Sequence, residues 1–406
     1  MNRSAPPTAP DLARLAAATT ALTTPFAAVD LDAFDANVAD MVRRAHGLPI
    51  RLASKSLRCR TLMARALDGA PSTGPGFSRA GGPAGFAGVL AYSAAEALWL
   101  AREGRDDVVV AYPSVDTGAL AAIGHDAELA RAITVMVDAP EHLDLIDSVH
   151  PTHPLRVAID VDASLRIGPI HLGVRRSPVH APGHAAGLAR EITRRPNLTL
   201  VGLMLYDAQI AGLPDASAAI RVVKQLSEAE LTRRRAAVIA AVRPHAELEF
   251  VNGGGTGSLH LTSVAGQLTE LAGGSGLYGP LLFDAYRAFT PQPAMYMVTS
   301  VVRTPSPRHA TVFGGGYIAS GPPGWARVPK PVWPPRLALL GQEGAGEVQT
   351  PLSGRGVGSL RIGDQVWFRH AKAGEACERF DWLHLVAGGE LVGQVPTYRG
   401  EGKNFG

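Results

Sequence analysis

From about residue 26 to about residue 290, short apolar, β-branched runs alternate with stretches of helical periodicity. This alternation is typical of parallel βα units. Eight runs predict buried strands, and a shorter candidate makes a ninth: AAVDL (27–31), PIRLAS (49–54), FAGVLA (86–91), DVVVAY (107–112), ITVMVD (133–138), LRVAID (155–160), TLVGLML (199–205), ELEFVN (247–252) and the shorter GLYG (276–279). The long pattern at 214–243 predicts a helix whose charges form a solvated face.

After about residue 290 the helical periodicity disappears, and proline, glycine and short alternating runs take over. This texture predicts a mostly antiparallel β domain. The pattern therefore divides the chain into an α/β barrel over residues 26–289 and a C-terminal β domain over 290–406. Residues 1–31 are candidates to join that second domain.

The composition and net charge indicate which classes of protein and of partner to expect. The chain has 406 residues, of which 46% are apolar and 18% charged, so it can bury a large core. A net charge of +3 is too weak to indicate nucleic acid, and a small-molecule partner is expected. Two cysteines and the lack of an apolar run of about 18 residues favour a soluble, cytoplasmic protein.

Lys55 is the first candidate for chemistry, because it follows an apolar strand in RLASKSLRCR (51–60). The carboxyl ends of barrel strands are where reactive groups collect. Arg51, Arg58 and Arg60 lie close in sequence and would favour a free amine, which can form a Schiff base. The decapeptide alone, however, favours an ordinary surface lysine at the start of a helix.

Two glycine-rich turns follow the last predicted strands, VNGGGTGS (251–258) and GGSGLYG (273–279). Successive N–H groups in such turns can surround a phosphate, with a hydroxyl of Thr256 or Ser258 added. The first turn lacks the lysine of a P-loop and the spacing of a dinucleotide fingerprint. A lysine on an early strand and a phosphate site on the last strands would face each other across a barrel mouth, which suits pyridoxal phosphate.

These features together resemble the fold-type III pyridoxal-phosphate enzymes, in particular the group of D-threonine aldolase and D-serine dehydratase, and more distantly alanine racemase. The resemblance covers nearly the whole chain. It rests on the following segments: VDLDAFDANV (29–38), SKS (54–56), FAGVLAYSAAEALWLAREGRDDVVVAYPSV (86–115), VGLMLYDAQIAG (201–212), VNGGGTGS, LTELAGGSGLYGPLLFD (268–284) and GDQVWFRHAKAG (363–374).

The resemblance implies a (β/α)8 TIM barrel followed by the β domain, with AAVDL outside the barrel and the eight barrel strands running from PIRLAS to GLYG. It implies that Lys55 forms the aldimine with the cofactor, and that Tyr206 and Arg166 lie near the cofactor ring. It assigns the phosphate to residues of the two turns: Asn252, Gly254, Gly255, Thr256, Ser275, Gly276 and Tyr278.

The chain departs from the family pattern where the family places its metal. Leu57 stands where the relatives commonly have a histidine, and QEGAGEV (342–348) lacks the histidine of their Glu-His-Gly motif. Their metal-binding pair of histidine and cysteine or aspartate is replaced by His370 and Lys372. An ammonium group cannot act as an anionic ligand.

His370 is therefore the one divalent-metal ligand that the family spacing supplies, with Cys377 or Glu375 as candidates to complete a site. In the alternative, Lys372 or His370 acts directly as the cation or acid that the metal would supply.

The resemblance implies a pyridoxal-phosphate-dependent lyase for D-configured β-hydroxy amino acids, working by retro-aldol cleavage or dehydrative deamination. Two alternatives stay open: an amino acid racemase or epimerase, and a non-catalytic protein that binds the cofactor. A homodimer is expected from the family.

Overall fold

The computed structural model describes residues 9–69, 85–215 and 217–406. The α-helices are α1 (Ala9–Ala18), α2 (Leu31–Arg44), α3 (Arg60–Asp68), α4 (Ala94–Arg102), α5 (Thr117–Gly124), α6 (Ala127–Ala132), α7 (Pro140–Ser148), α8 (Pro182–Thr193), α9 (Ala208–Ala211), α10 (Ala218–Val242) and α11 (Leu259–Thr262).

The strands of the first three quarters of the chain are β1 (Phe26–Asp30), β2 (Ile50–Ala53), β3 (Phe86–Ala91), β4 (Val108–Val110), β5 (Ile133–Val137), β6 (Leu155–Asp160), β7 (Leu165–Ile167), β8 (Ile170–Leu172), β9 (Leu198–Leu205), β10 (Phe250–Gly253) and β11 (Glu270–Gly273). The remaining strands are β12 (Met295–Ser306), β13 (His309–Phe313), β14 (Lys330–Trp333), β15 (Ala338–Leu339), β16 (Gln349–Ser353), β17 (Gln365–Arg369), β18 (Trp382–Ala387) and β19 (Glu390–Pro396).

One compact unit is a closed parallel barrel, formed by the described parts of residues 41–54 and 67–274 together with 405–406. Its strands close in the order β10, β11, β2, β3, β4, β5, β6, β9, which confirms the predicted TIM barrel. Side chains fill its interior, and Phe250 needs the space next to Gly202: a Cβ there would lie 2.3 Å from the Phe250 ring. The barrel interior is therefore a packed core, and functional groups are expected at the end where the carboxyl ends of the strands lie.

The prediction of the closing strand was wrong. GLYG (276–279) is a turn, in which Gly279 has φ +60°, and the eighth barrel strand is β11, whose sequence is ELAG. Leu271 of β11 pairs with Ile50 of β2 and closes the barrel. The sequence ELAG has no β-branched or aromatic residue, whereas GLYG has a tyrosine, a residue type that favours strands.

The solvated face expected for the long helix was also wrong in part. Helix α10 does form, but Arg235 is fully buried, and Lys224 and Arg234 are only 6% and 9% exposed. These cations lie on the face that also carries Leu231 and Val238. The helix therefore brings charge into the barrel unit, where it has consequences for the glycine loop.

The second unit consists of residues 9–40, 55–66 and 275–404, and the first eight residues of the predicted 1–31 stretch lie outside the described residues. Its main sheet has the path β15, β16, β13, β12, β1, β18, β19, and β14 and β17 pair beside β12. Only the β1–β18 pairing is parallel among the described strands of this unit, so the predicted antiparallel character is confirmed. Strand β1 lies in this sheet, outside the barrel, as the resemblance implied.

Among the described residues, no helix is both long enough and apolar enough to span a bilayer. The predicted cytoplasmic location and homodimer stay predictions.

Candidate active site

Lys55 lies in a 3-10 turn, Ser54–Ser56, that directly continues barrel strand β2. Lys55 is exposed, although Ser54, Ser56 and Leu57 around it are buried. The backbone here holds the lysine at the carboxyl end of a barrel strand.

The residues that fix this turn belong to the β unit. The hydroxyl of Tyr278 and the thiol of Cys377 both donate to the Leu57 carbonyl, at 3.0 and 3.2 Å. Gly374, the first residue of a 3-10 helix (Gly374–Arg379), approaches so closely that a Cβ would lie 2.0 Å from the Lys55 carbonyl oxygen. Two side-chain hydrogen bonds and one close backbone contact therefore fix the conformation of the lysine turn.

The three nearby arginines do not form the cationic cluster that the sequence suggested. Arg51 points into the barrel and makes a bidentate pair with Glu270, with N–O distances of 2.7 and 2.8 Å. Arg58 pairs with Glu378 and Arg60 with Glu401. Each of these guanidinium groups is already paired with a carboxylate, so their positive charge is largely compensated.

The glycine loop after β10 is held in a tight conformation that only glycine allows at two positions. Gly254 has φ +78°, and a Cβ on Gly255 would lie 2.8 Å from Ala211, so both positions require glycine. The hydroxyl of Thr256 accepts a hydrogen bond from the Gly274 N–H at 3.3 Å. Within the described part of the chain, the N–H of Gly257 has no acceptor, which leaves a donor for an anion.

Asn252, a predicted phosphate ligand, lies in the barrel interior. Its amide donates to Glu270 at 2.9 Å, and the residue is 2% exposed. Its side chain thus joins the Arg51–Glu270 pair and supports the barrel. The assignment of Asn252 to the cofactor phosphate stays a prediction, and in this structure its side-chain amide donates to Glu270.

A buried carboxylate, Asp207, is hydrogen-bonded to the glycine loop and to the short helix α11 that follows it. It accepts hydrogen bonds from the hydroxyls of Ser258 and Thr262, at 3.2 and 2.9 Å. Burial and the neighbouring Glu228 raise the pKa of Asp207 to about 7, against the effect of Thr262 and of Arg235. Burial also lowers the pKa of Arg235, whose side-chain nitrogens have no hydrogen-bond partner among the described residues. The glycine loop therefore rests on a charge that can change near neutral pH.

The variant Asp207→Asn should change how stability depends on pH. Because the folded-state pKa of Asp207 lies above its ordinary value, the folded chain keeps this proton up to about pH 7 and the unfolded chain loses it near pH 4. The unfolding free energy of the native protein should thus fall as pH rises through this window. The asparagine amide does not titrate, so the melting temperature of the variant relative to the native protein should rise by a few degrees from about pH 4 to pH 7.5.

Thermal melts of both proteins at several pH values test this expectation, and Asp106→Asn, a change at an exposed carboxylate, is the control. A difference between Asp207→Asn and the native protein that stays constant with pH would contradict it.

The barrel unit also has a cavity at the carboxyl ends of β4, β6 and β9. Tyr112, Asp160, Arg176, Met204 and Tyr206 are among the residues that line it. Burial and the nearby Asp138 raise the pKa of Asp160 to about 7, although Arg176 opposes them. Burial raises the pKa of Tyr206 to about 12, so its hydroxyl stays protonated.

Sequence reasoning placed Tyr206 at the site and missed Asp160 and Arg176. Asp160 ends the predicted strand LRVAID, and a carboxylate at the end of a barrel strand is a signal that could have been read. Arg166, which was predicted, lies in the β7–β8 hairpin and pairs with Asp162; its Nε donates at 3.1 Å. Arg176 comes from an irregular segment that has no such signal.

The candidate metal residues lie in the β unit. His370 is fully buried, its Nδ1 is 3.2 Å from the Met295 carbonyl, and its Nε2 has no hydrogen-bond partner in the described part of the chain. Burial and Arg369 lower the pKa of His370 to about 3, which keeps the ring neutral.

Lys372 donates to the Ser320 hydroxyl at 2.5 Å. The Cys377 thiol donates a hydrogen bond to the Leu57 carbonyl, and burial raises the pKa of this thiol.

The described residues contain no group of three or more histidine, cysteine, aspartate or glutamate side chains arranged to hold a metal ion. Metal binding by His370, with Cys377 as partner, stays a prediction, as does the direct role of Lys372. The second glycine turn, which contains Ser275 and Gly276, begins the long C-terminal part of the β unit, and its Tyr278 hydroxyl is used by the lysine turn.

The chain is similar to two curated relatives and to a solved structure of the predicted group. It is 25% identical over 303 residues to D-threonine aldolase of Arthrobacter sp., covering 72% of this chain and 71% of the relative. It is 26% identical over 306 residues to 3-hydroxy-D-aspartate aldolase of Paracoccus denitrificans (strain Pd 1222), covering 72% of each chain.

The crystal structure of D-threonine aldolase from Filomicrobium marinum matches with a TM-score of 0.74 at 22% identity, covering 93% of this chain and 95% of that one. No model of a protein family matches the chain. The resemblance to the D-threonine aldolase group that the sequence motifs indicated is confirmed.

Proposed function

We propose that this chain is a pyridoxal-phosphate-dependent lyase that cleaves D-configured β-hydroxy amino acids. The observation that carries the proposal is the similarity to two aldolases of such substrates, each over 72% of the chain. Cleavage of the Cα–Cβ bond would give glycine and an aldehyde. Loss of the β-hydroxyl, giving a keto acid and ammonia, is the second outcome to be measured.

The residues present fit the cofactor. Among the described residues, the glycine loop has an N–H without an acceptor at Gly257 and a hydroxyl at Thr256, which together suit a phosphate. Lys55 is exposed at the end of a barrel strand and can hold the aldehyde carbon of the cofactor. When bound, pyridoxal phosphate supplies an electron sink for the bond that breaks at Cα.

The protein's own groups supply positioning and proton transfer. Asp207 holds Ser258 and Thr262, and through them the shape of the glycine loop. Asp160 has a pKa of about 7, which is near the optimum for a group that takes a proton from a hydroxyl and returns it later. Tyr206, protonated and lining the same cavity, can donate a hydrogen bond to the substrate.

The test is a product assay with protein reconstituted with pyridoxal phosphate. D-Threonine and 3-hydroxy-D-aspartate should yield glycine and the matching aldehyde, and their L-enantiomers should not. Ammonia and a keto acid in place of glycine would assign the dehydratase reaction. Deuterium from solvent at Cα, with both enantiomers recovered and no aldehyde or ammonia, would overturn the proposal in favour of racemisation; a changed spectrum without any product would indicate a non-catalytic binding protein.

A further inference from the structure

One backbone donor of the glycine loop is buried and unused. Gly257 is buried, and its N–H has no acceptor among the described residues. The neighbouring donors are engaged: the Gly255 N–H donates to the Ser258 hydroxyl at 3.1 Å, and the N–H groups of Ser258 and Leu259 donate to the Gly255 carbonyl. A buried N–H without an acceptor is rare because its desolvation is costly, so a bound group or water is expected there.

The guanidinium of Arg44 fixes the direction of this donor. Arg44 is the last residue of helix α2 and is 3% exposed, and its Nη1 donates to the Thr256 carbonyl at 2.8 Å. The peptide bond between Thr256 and Gly257 is trans. In a planar trans peptide the carbonyl and the N–H point in opposite directions. Arg44 therefore holds the carbonyl side, and the Gly257 N–H points away from the guanidinium.

Two further contacts restrict the rotation of this peptide. The Thr256 hydroxyl accepts a hydrogen bond from the Gly274 N–H, and the Ser263 hydroxyl donates to the Arg44 carbonyl, each at 3.3 Å. Ser263 is the C-terminal cap of helix α11, which begins directly after the loop. The end of helix α2 is thus joined to the loop through the Arg44 side chain and to helix α11 through the Arg44 backbone.

The charge of Arg44 strengthens the donor as well as orienting it. A hydrogen bond from a charged donor is about twice as strong as a neutral one, and it polarises the peptide that accepts it. The N–H on the far side of that peptide then carries more positive charge, which favours an anion. Burial, and then the charges of Arg44 and Lys224, lower the pKa of His260 to about 4, so this histidine of helix α11 stays neutral and does not replace the charge of Arg44.

We propose that Arg44 is a positioning residue for the phosphate of the cofactor: it orients and polarises the Gly257 N–H, which donates to a phosphate oxygen. The glycine loop, VNGGGTGS, contains no cation of its own, and Arg44 supplies one from 212 residues earlier in the chain. Arg44 acts through the peptide rather than by direct contact with the phosphate. The inference rests on the proposed function for the identity of the anion.

Affinities for pyridoxal phosphate and for pyridoxal, which has the same ring and aldehyde but no phosphate, test the inference. Titrations followed by visible absorbance give both affinities for native protein and for Arg44→Met. The variant should bind pyridoxal phosphate roughly 10- to 100-fold more weakly, the scale of a hydrogen bond to a charged group, and its affinity for pyridoxal should be unchanged. Arg43→Met, a change at the exposed neighbouring arginine, is the matched control and should keep both affinities.

A measurement without the cofactor examines the anion site alone. Inorganic phosphate, compared with sodium chloride at equal ionic strength, should raise the melting temperature of native protein and of Arg43→Met but not of Arg44→Met. Arg44→Gln keeps an uncharged amide donor at the buried position and should show the same selective loss at a smaller size. This second variant decides the question if Arg44→Met does not fold.

Equal losses of affinity for pyridoxal phosphate and for pyridoxal in the Arg44 variants, or no loss for either, would overturn the inference and leave the proposed lyase intact. A phosphate-induced rise in melting temperature that Arg44→Met retains would also overturn it. Native protein that binds pyridoxal phosphate but cleaves neither D-threonine nor 3-hydroxy-D-aspartate would instead overturn the proposed function, and the affinities would still decide the role of Arg44.

Discussion

Lys55→Ala should lower the rate of D-threonine cleavage by roughly a thousandfold or more, the scale of loss when a covalent catalytic group is removed. Alanine has no amine with which to hold the aldehyde of the cofactor, and the barrel strand before it stays unchanged. After free pyridoxal phosphate is removed, the visible absorbance that stays with the protein should disappear in the same variant. Steady-state assays and absorbance spectra measure both effects.

Lys330→Ala is the control for this change, since Lys330 is an exposed lysine of strand β14. It should keep both the activity and the absorbance. If Lys55→Ala cleaved D-threonine at the native rate, the assignment of Lys55 would be wrong, however well the fold matched.

Gly374→Ala should destabilise the β unit and weaken retention of the cofactor. The new Cβ would lie 2.0 Å from the Lys55 carbonyl oxygen and 2.9 Å from the carbonyl carbons of Lys55 and Ser56, all of them backbone atoms that cannot rotate away. Overpacking of this kind costs about 1 to 3 kcal/mol, or more where backbone must move. The lysine turn should shift, so the variant should both melt earlier and release pyridoxal phosphate faster on dialysis.

Gly358→Ala provides the comparison, because Gly358 lies in another 3-10 turn and a Cβ there meets nothing within 4 Å among the described residues. If the two alanine variants had the same melting temperature and the same cofactor content, the close contact at the lysine turn would have no energetic consequence.

The sequence predicted the parts of the fold and of the site that depend on local pattern. Apolar runs located the barrel strands from β2 to β10, and clustered glycines located the loop that contains Gly254 and Gly255. These features are readable because strand periodicity and φ preferences act within a few residues. The closing strand β11 was missed because its sequence, ELAG, has no β-branched or aromatic residue.

Residues that matter through long-range placement were harder to predict. Arg235 is buried because of the way helix α10 packs, although the charge pattern of that helix suggested a solvated face. The hydrogen bonds that Asp207 accepts from the glycine loop also depend on tertiary packing. Arg176 acquires its surroundings only when Tyr112 and Tyr206, about 64 and 30 residues away in the chain, reach the same cavity. No local pattern carries that information.

The central claim is that pyridoxal phosphate attaches to Lys55, and mapping the attachment tests it most directly. The chain has five lysines: Lys55, Lys224, Lys330, Lys372 and Lys403. Native protein is incubated with pyridoxal phosphate, reduced with borohydride, digested and analysed by mass spectrometry. The account predicts one modified peptide, with the phosphopyridoxyl group on Lys55; modification of another lysine, such as Lys372, or of none, would contradict it.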